Sequence, residues 1–257
     1  MSLPIRNRCL LLGVVALASP LTARAQAAVE LPFAVGERLN YRVTVGSVHV
    51  GEGSMSVQGP EDVRGTATYL LKSEVRARIG PVKAVDRAES WLDPERMSAL
   101  RFRKRERRAF SGSDEQVELF PNEQRWQTTR GDSGESPTTM PLDELSFIYF
   151  LRTLSLVPDT TYRFARHYDS ARNPVEVRVV GRDTVRTGAG AFSTIIVEMR
   201  VRDAGRFKGD GVIRLHLTDD MCRIPVRIET SMPVIGSAVL TLESFLRSPA
   251  HLAHSAP

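Results

Sequence analysis

Cysteine is nearly absent: Cys9 and Cys222 are too few for a disulfide-rich scaffold or a four-cysteine zinc site. Histidine is sparse as well. His251 and His254 sit near the C-terminus, while His49, His167 and His216 fall on three separate predicted strands. No His-x-His, His-Glu-x-x-His or Cys-x-x-Cys spacing brings two ligands together, so neither a metal nor a cofactor is predicted. There is no Gly-x-Ser-x-Gly elbow, and a hydrolase triad would have to be assembled from distant strands. No apolar run reaches the roughly 20 residues that a membrane-spanning helix needs. Lysine is reduced to Lys72, Lys83, Lys104 and Lys208, so nearly all of the 35 basic residues are arginine.

The first segment reads as an export signal. Arg6 and Arg8 form a positive region, Cys9 to Ala18 an apolar one, and Ala23-Arg24-Ala25 a cleavage site, which places the signal peptide at 1–25. Cleavage near Ala25 predicts a periplasmic or otherwise exported protein. It also removes Arg6, Arg8 and Arg24, leaving 32 basic residues against 30 acidic. A mature net charge of about +2 gives little support for nucleic acid as a partner. Cys222 then stands alone and cannot form an internal disulfide.

From Pro32 onward the pattern is period two, the signature of strands with one buried face. Leu39, Tyr41, Val43 and Val45 alternate with polar residues up to the Gly46-Ser47 turn. The next strand, Val48 to Val57, carries Gly51 and Gly53, predicting a bulge or a close approach of another backbone. Tyr69, Leu71, Ser73, Val75 and Ala77 share a face of a third strand. Val82 to Leu92 and Ser98 to Arg108 follow, two shorter strands flank Pro121-Asn122, and Gly131 to Ser136 reads as a surface loop. After the centre, Tyr162 to Tyr168, Val175 to Gly181, Phe192 to Val201, Gly211 to Leu217, Ile224 to Glu229 and Ser237 to Leu242 continue the rhythm.

One segment departs from it. Leu142 to Leu156 follows Pro141, carries Asp143 and Glu144 in its first turn and stops before Pro158, which predicts a helix over 142–156. Leu145, Ile148, Tyr149, Arg152 and Leu156 share one side, and Phe147, Phe150, Leu151 and Leu154 the other, so the helix is predicted to be buried on most sides. Arg152 then requires a carboxylate or carbonyl partner. The predicted fold is mainly β: a strongly curved antiparallel sheet, half-barrel or sandwich, of about a dozen strands with one inserted buried helix. It occupies a single domain at 26–247, followed by a disordered tail at 248–257.

Three stretches carry a resemblance: Pro32-Phe33-Ala34-Val35-Gly36-Glu37-Arg38-Leu39-Asn40-Tyr41, Asp143-Glu144-Leu145-Ser146-Phe147-Ile148-Tyr149-Phe150-Leu151-Arg152, and Leu217-Thr218-Asp219-Asp220-Met221-Cys222-Arg223-Ile224-Pro225-Val226. In order and spacing they resemble the bacterial exported family called domain of unknown function 3108, across nearly all of the mature chain. The resemblance implies a periplasmic or envelope-associated β protein and brings no catalytic residue or cofactor with it.

Two sets of residues are candidates for binding. A curved sheet closed by one apolar helix can hold an acyl chain, and Leu145, Tyr149, Arg152, Trp91 and Tyr69 are the residues placed to line such a groove, with a packed core as the alternative. Arg101, Arg103, Arg105 and Arg107 share one face of a strand and form a candidate patch for an anionic surface, with a solvated face balanced by Glu89 and Glu118 as the alternative. Cys222 reads as an unpaired, partly buried thiol and Asp219-Asp220 as a turn. The leading function is a non-catalytic envelope protein that binds an apolar or amphipathic small molecule, with the helix as lid or plug. Alternatives are a structural partner of another envelope protein and an enzyme using His167, His216 or Asp143.

Overall fold

The structure is a computed structural model that describes residues 31–108, 111–201, 211–232 and 236–248. The expected signal peptide at 1–25 and most of the expected tail at 248–257 lie outside the described residues; Ser248 itself is buried, not disordered, and its hydroxyl donates to Val35 O at 2.9 Å. Eight strands come first: β1 (Arg38–Val45), β2 (Val48–Val63), β3 (Thr66–Ile79), β4 (Val82–Asp93), β5 (Ser98–Arg108), β6 (Ser111–Phe120), β7 (Arg125–Thr128) and β8 (Ser133–Glu135). Helix α1 (Glu144–Arg152) intervenes. Six strands follow: β9 (Thr161–Phe164), β10 (Val175–Thr187), β11 (Gly190–Val201), β12 (Gly211–Thr218), β13 (Pro225–Met232) and β14 (Gly236–Leu246).

All fourteen lie in one antiparallel sheet, ordered β8-β7-β6-β5-β4-β3-β2-β1-β14-β13-β12-β11-β10-β9. Each half is a simple meander, and the pairing of β1 with β14 fuses the two. The sheet is open among the described residues, with β8 and β9 at its edges. It is strongly bent. The β10–β11 turn reaches back to β14, where Ala189 N donates to Leu242 O at 3.4 Å and Phe192 packs edge-on to Phe245 at 6.1 Å.

Alternation decides which face is covered. Leu39, Tyr41 and Val43 of β1 are buried, whereas Arg38, Asn40 and Arg42 face water. The register then aligns Val57, Leu71, Ser90, Phe102 and Val117 as one cross-strand row, each at most 2% exposed. Helix α1 lies on this inner face. Its Leu145, Phe147, Tyr149, Phe150 and Leu151 are all buried, each contributing about 1.5–3 kcal/mol of apolar burial.

The helix is shorter than its apolar pattern predicts. Asp143 is its N-cap rather than a first-turn residue: its carboxylate accepts from Leu145 N and Ser146 N, both at 2.9 Å, and Ser146 Oγ accepts from Asp143 N. The far end stops at Thr153, whose hydroxyl bonds back to Phe150 O at 2.8 Å. Leu142 instead pairs with the chain after β9, donating to Arg166 O and accepting from Tyr168 N, and Pro141 O accepts from Ala99 N of β5. These bonds stitch the start of the helix between the two meanders.

Strand boundaries also differ, and β2, expected to end at Val57, runs on to Val63 past an irregularity between Gln58 and Glu61. The loop at 131–136 contains β8, which forms because Ser133–Glu135 pairs with β7 through backbone alone. The strand expected over Tyr162 to Tyr168 ends at Phe164, since Asn173 and Leu142 take up the backbone of His167 and Tyr168. His167 is therefore off the strands. The strand expected to end at Gly181 runs on to Thr187 past a bulge between Val179 and Gly181. The glycines of β2 behave as expected: a register shift sits beside Gly51, and a Cβ there would lie 1.9 Å from Arg76 O.

Candidate functional site

Two polar centres are built into the inner face, one at each end of α1. At its C-terminal end Arg152 is fully covered. Its guanidinium donates to Glu37 Oε1 and Oε2, each at 2.7 Å, to Pro32 O at 2.9 Å and to Cys222 O at 3.0 and 3.2 Å. Phe33 and Tyr149 flank it, with ring centroids 5.3 and 5.2 Å away. Burial works against the charge, yet Glu37 outweighs it and holds Arg152 above the ordinary arginine pKa. Beside the pair, Tyr41 donates its hydroxyl to Pro225 O at 2.9 Å. Burial pushes the pKa of both Tyr41 and Tyr149 well up, so both hydroxyls stay protonated.

At the N-terminal end, Ser90 donates to Asp143 Oδ2 at 2.6 Å. Burial raises the Asp143 pKa to about 6 against the lowering effect of its hydrogen bonds. Burial would also raise Glu144, but Lys104 and Arg172 beside it overcome that and bring it to about 2. His167 is 2% exposed and burial lowers its pKa to about 4. Its Nδ1 accepts from Asp169 N at 3.1 Å, which puts the proton of the neutral ring on Nε2, an atom with no partner among the described residues. These contacts cap and anchor the helix; Asp143 is committed to its cap and to Ser90.

Beyond the helix the inner face continues. The next row is Met55, Ser73, Ala88, Lys104 and Glu115, and Val75, Ala77 and Ala84 lie further along the same face. Val75, Ala77, Ala84 and Ala88 are half-buried rather than sealed, and Lys104 is 23% exposed.

Of the candidate groove residues, Leu145, Tyr149, Arg152 and Tyr69 gather in one core and Trp91 lies apart from them. Leu145, Tyr149 and Arg152 are core residues at 4%, 0% and 2% exposure. Tyr69 packs against the edge of the same core. Trp91 projects from the opposite face of β4, with its indole N–H on Glu61 at 2.7 Å and Arg101 over its ring. The four arginines of β5 do share the outer face, but three of them meet carboxylates: Arg101 with Glu118, Arg103 with Asp114 and Arg105 with Glu89. Arg107 is exposed. No sequence pattern marks Asp114; the register of β5 against β6 places it there.

The remaining chemistry-bearing residues have structural posts. Asp220 closes the β12–β13 turn by accepting from Thr218 Oγ1, Cys222 N and Arg223 N, and Asp219 pairs with Arg182 and Arg223. Burial and the nearby Asp220 raise the Cys222 thiol pKa. His216 faces outward on β12, 3.6 Å from Glu229. No group of three or more potential metal ligands occurs among the described residues. Nor, among them, is any helix long and apolar enough to cross a membrane.

A model of a family described as protein of unknown function (DUF3108) matches residues 40–243. Among curated proteins, none matches the sequence. Of solved structures, a beta-barrel-like protein of domain of unknown function DUF1849 from Brucella abortus superposes with a TM-score of 0.55 at 10% identity, covering 84% of this chain and 99% of that one. A proposed exported protein with a YmcC-like fold from Bacteroides fragilis, at 14% identity, covers 84% and 98% of the two chains with a TM-score of 0.31. The first of these likenesses is one of fold.

Proposed function

The chain belongs to the DUF3108 family, whose description names no activity, and from its geometry we propose an exported, non-catalytic protein that binds an apolar or amphipathic ligand on the inner face of its sheet. The observation that carries this reading is the half-open strip beyond α1. Val75, Ala77, Ala84 and Ala88 offer small apolar side chains there, interrupted by Asp86 between the two alanines of β4, and Lys104, paired with Glu106 and Glu144, and Glu115 offer charge at its border. An acyl chain against the strip and a polar head beside Lys104 match that division. Helix α1 fills the rest of the concavity, so it acts as a plug that limits the ligand to one end.

Export rests on the N-terminal pattern of positive, apolar and small residues. The alternative of a strand-pairing assembly partner is less favoured by the edges. β8 is three residues long and β9 four, and the stretch of β10 beyond β9 carries Arg182, Asp183 and Arg186, features that discourage edge-to-edge pairing.

The test is native mass spectrometry of the protein from a periplasmic extract, with identification of whatever denaturation releases. A lipid-like molecule near one per chain, lost in Val75→Asp while the unfolding midpoint is kept, is the expected result. A protein that arrives empty and stays empty after exposure to lipid overturns the reading. Leu145 and Tyr149 are unsuitable targets, since a charge at either would unfold the core.

A further inference from the structure

The outer face of the first meander holds a feature that ligand binding inside the sheet does not use. Along β2 the outward side chains Ser54 and Ser56 are short, while the strands beside it carry Arg38 and Arg42 on β1 and Lys72, Glu74 and Arg76 on β3. β2 is thus the floor of a trough with long charged walls. Two depressions of about 460 and 370 Å³ lie along it and share Asn40, Ser54 and Glu74, which makes them one groove. The second depression also widens sideways over β4 to Arg105 of β5, four strand spacings from β1, about 19 Å at roughly 4.8 Å each.

We propose that this groove binds an extended oligosaccharide bearing carboxylate or phosphate groups. Beyond Glu52, which stands between Arg42 and Arg76, the floor is neutral and hydrogen-bonding: Ser54, Ser56 and Gln58 are half-buried and make no side-chain hydrogen bond to another described residue. Hydroxyls and an amide in that state offer both donors and acceptors to a polyhydroxylated ligand. The walls of the second depression carry Arg38, Lys72, Arg87 and Arg105 against Glu74 and Glu89. Arg87 is matched by Glu74 at 3.2 Å and Arg105 by Glu89 at 3.0 Å. Lys72 stands further from Glu89, at 3.7 Å, and Arg38 has no carboxylate partner among the described residues. That leaves a positive surplus over a neutral floor. No large apolar side chain is offered to an acyl chain here, because Tyr41 is 2% exposed and turns its ring into the core.

Tetragalacturonate is the probe, with maltotetraose as the uncharged control, titrated into the mature chain by calorimetry. Saturable binding of the acidic tetramer is expected, weakening as salt rises from about 0.05 to 0.5 M. Arg38→Glu and Ser54→Phe should each lower its affinity by about tenfold or more, the first by like-charge repulsion and the second by filling the floor. Arg163→Glu on β9, in the other meander and 71% exposed, should leave binding unchanged. Absence of saturable binding overturns the proposal, as does equal affinity for the two tetramers. An equal loss in Arg38→Glu and Arg163→Glu also overturns it, by reducing the effect to overall charge. Val75→Asp separates this groove from the inner strip and should leave tetragalacturonate binding intact.

Discussion

Replacing Glu37 by glutamine keeps the shape of the buried joint and removes its negative charge. Arg152 would retain Pro32 O and Cys222 O but lose the carboxylate whose two oxygens lie 2.7 Å from its nitrogens. Both side chains are at most 5% exposed, so water cannot replace the lost charge. Two unit charges about 4 Å apart in a medium of effective dielectric 20 attract by about 4 kcal/mol. Stranding one partner of such a pair typically costs about 3–5 kcal/mol. Against a total stability of about 5–15 kcal/mol, that is a large fraction. In urea unfolding, with a slope of about 2 kcal/mol/M, the midpoint of Glu37→Gln should fall by about 2 M. The double variant Glu37→Leu with Arg152→Met should be more stable than the sum of the single losses predicts, because neither charge is left stranded. It should remain below the parent protein, since Pro32 O and Cys222 O lose their donors at about 1–3 kcal/mol each. A loss under about 1 kcal/mol for Glu37→Gln, or strict additivity in the double variant, refutes the reasoning, for the pair would then be hydrated or absent.

Acid should expose opposing titrations at the other end of the helix. His167 at about 4, against about 6.5 in the unfolded chain, supplies stability that is present above 6.5 and lost as pH falls towards 4, about 3 kcal/mol in all. Asp143 at about 6, against about 3.9 unfolded, supplies stability that is present below 3.9 and lost as pH rises through 6, of similar size. The two nearly cancel between pH 6.5 and 4, and Glu144, at about 2, then withdraws support below about pH 4.5. In His167→Gln, thermal melts should show the protein gaining stability relative to the parent as pH drops from about 6.5 to 4; parallel curves would refute the assignment. Cys222 should react slowly with a thiol reagent at neutral pH and quickly once the chain is unfolded, and equal rates in the two states would sink the account of its raised pKa. Gly51→Ala should cost more than about 2 kcal/mol by chemical denaturation, because its Cβ would lie 1.9 Å from Arg76 O; a loss below about 1 kcal/mol would mean the two strands are not so closely opposed.

Strands with strict alternation were legible from the chain alone. Ser98–Arg108 is a strand whose register puts Glu89 and Glu118 against its arginines, as the charge pattern suggests. β8 was not legible, because Ser133-Gly134-Glu135 has no apolar residue and owes its form to pairing with β7. The helix ends sooner than Leu154 and Leu156 imply by extending the apolar pattern, because past Thr153 the ladder tightens to a single bond from Leu154 N to Leu151 O at 3.3 Å and stops. Its start had a readable signal in Asp143 and Ser146, three residues apart, which is the spacing of a reciprocal cap. For Trp91, parity decides the face: it alternates with Ser90 and Leu92, which are both buried on the inner side. Arg152 announced its need for a partner, but Glu37 lies 115 positions away and no local pattern could name it.

The three stretches that carry the family resemblance meet at that joint. Glu37 comes from the first, Tyr149 and Arg152 from the second, and Cys222 O and Pro225 O from the third. They fasten β1, the end of α1 and the β12–β13 turn to one another, which is where the second meander is held against the first. The pair itself is a weak source of net stability, because desolvation offsets much of its attraction. Its geometric demand is strict, however: a guanidinium with five bonds to fixed oxygens accepts one placement of the helix. Arg152 and Glu37 are committed to that placement, while the buried Tyr149 hydroxyl has no hydrogen-bond partner among the described residues. In this chain the stretches that carry the resemblance therefore seat the helix. The two sites proposed above draw instead on ordinary residues around it, Val75 and Ala88 inside and Ser54, Ser56 and Arg38 outside, which no short motif marks.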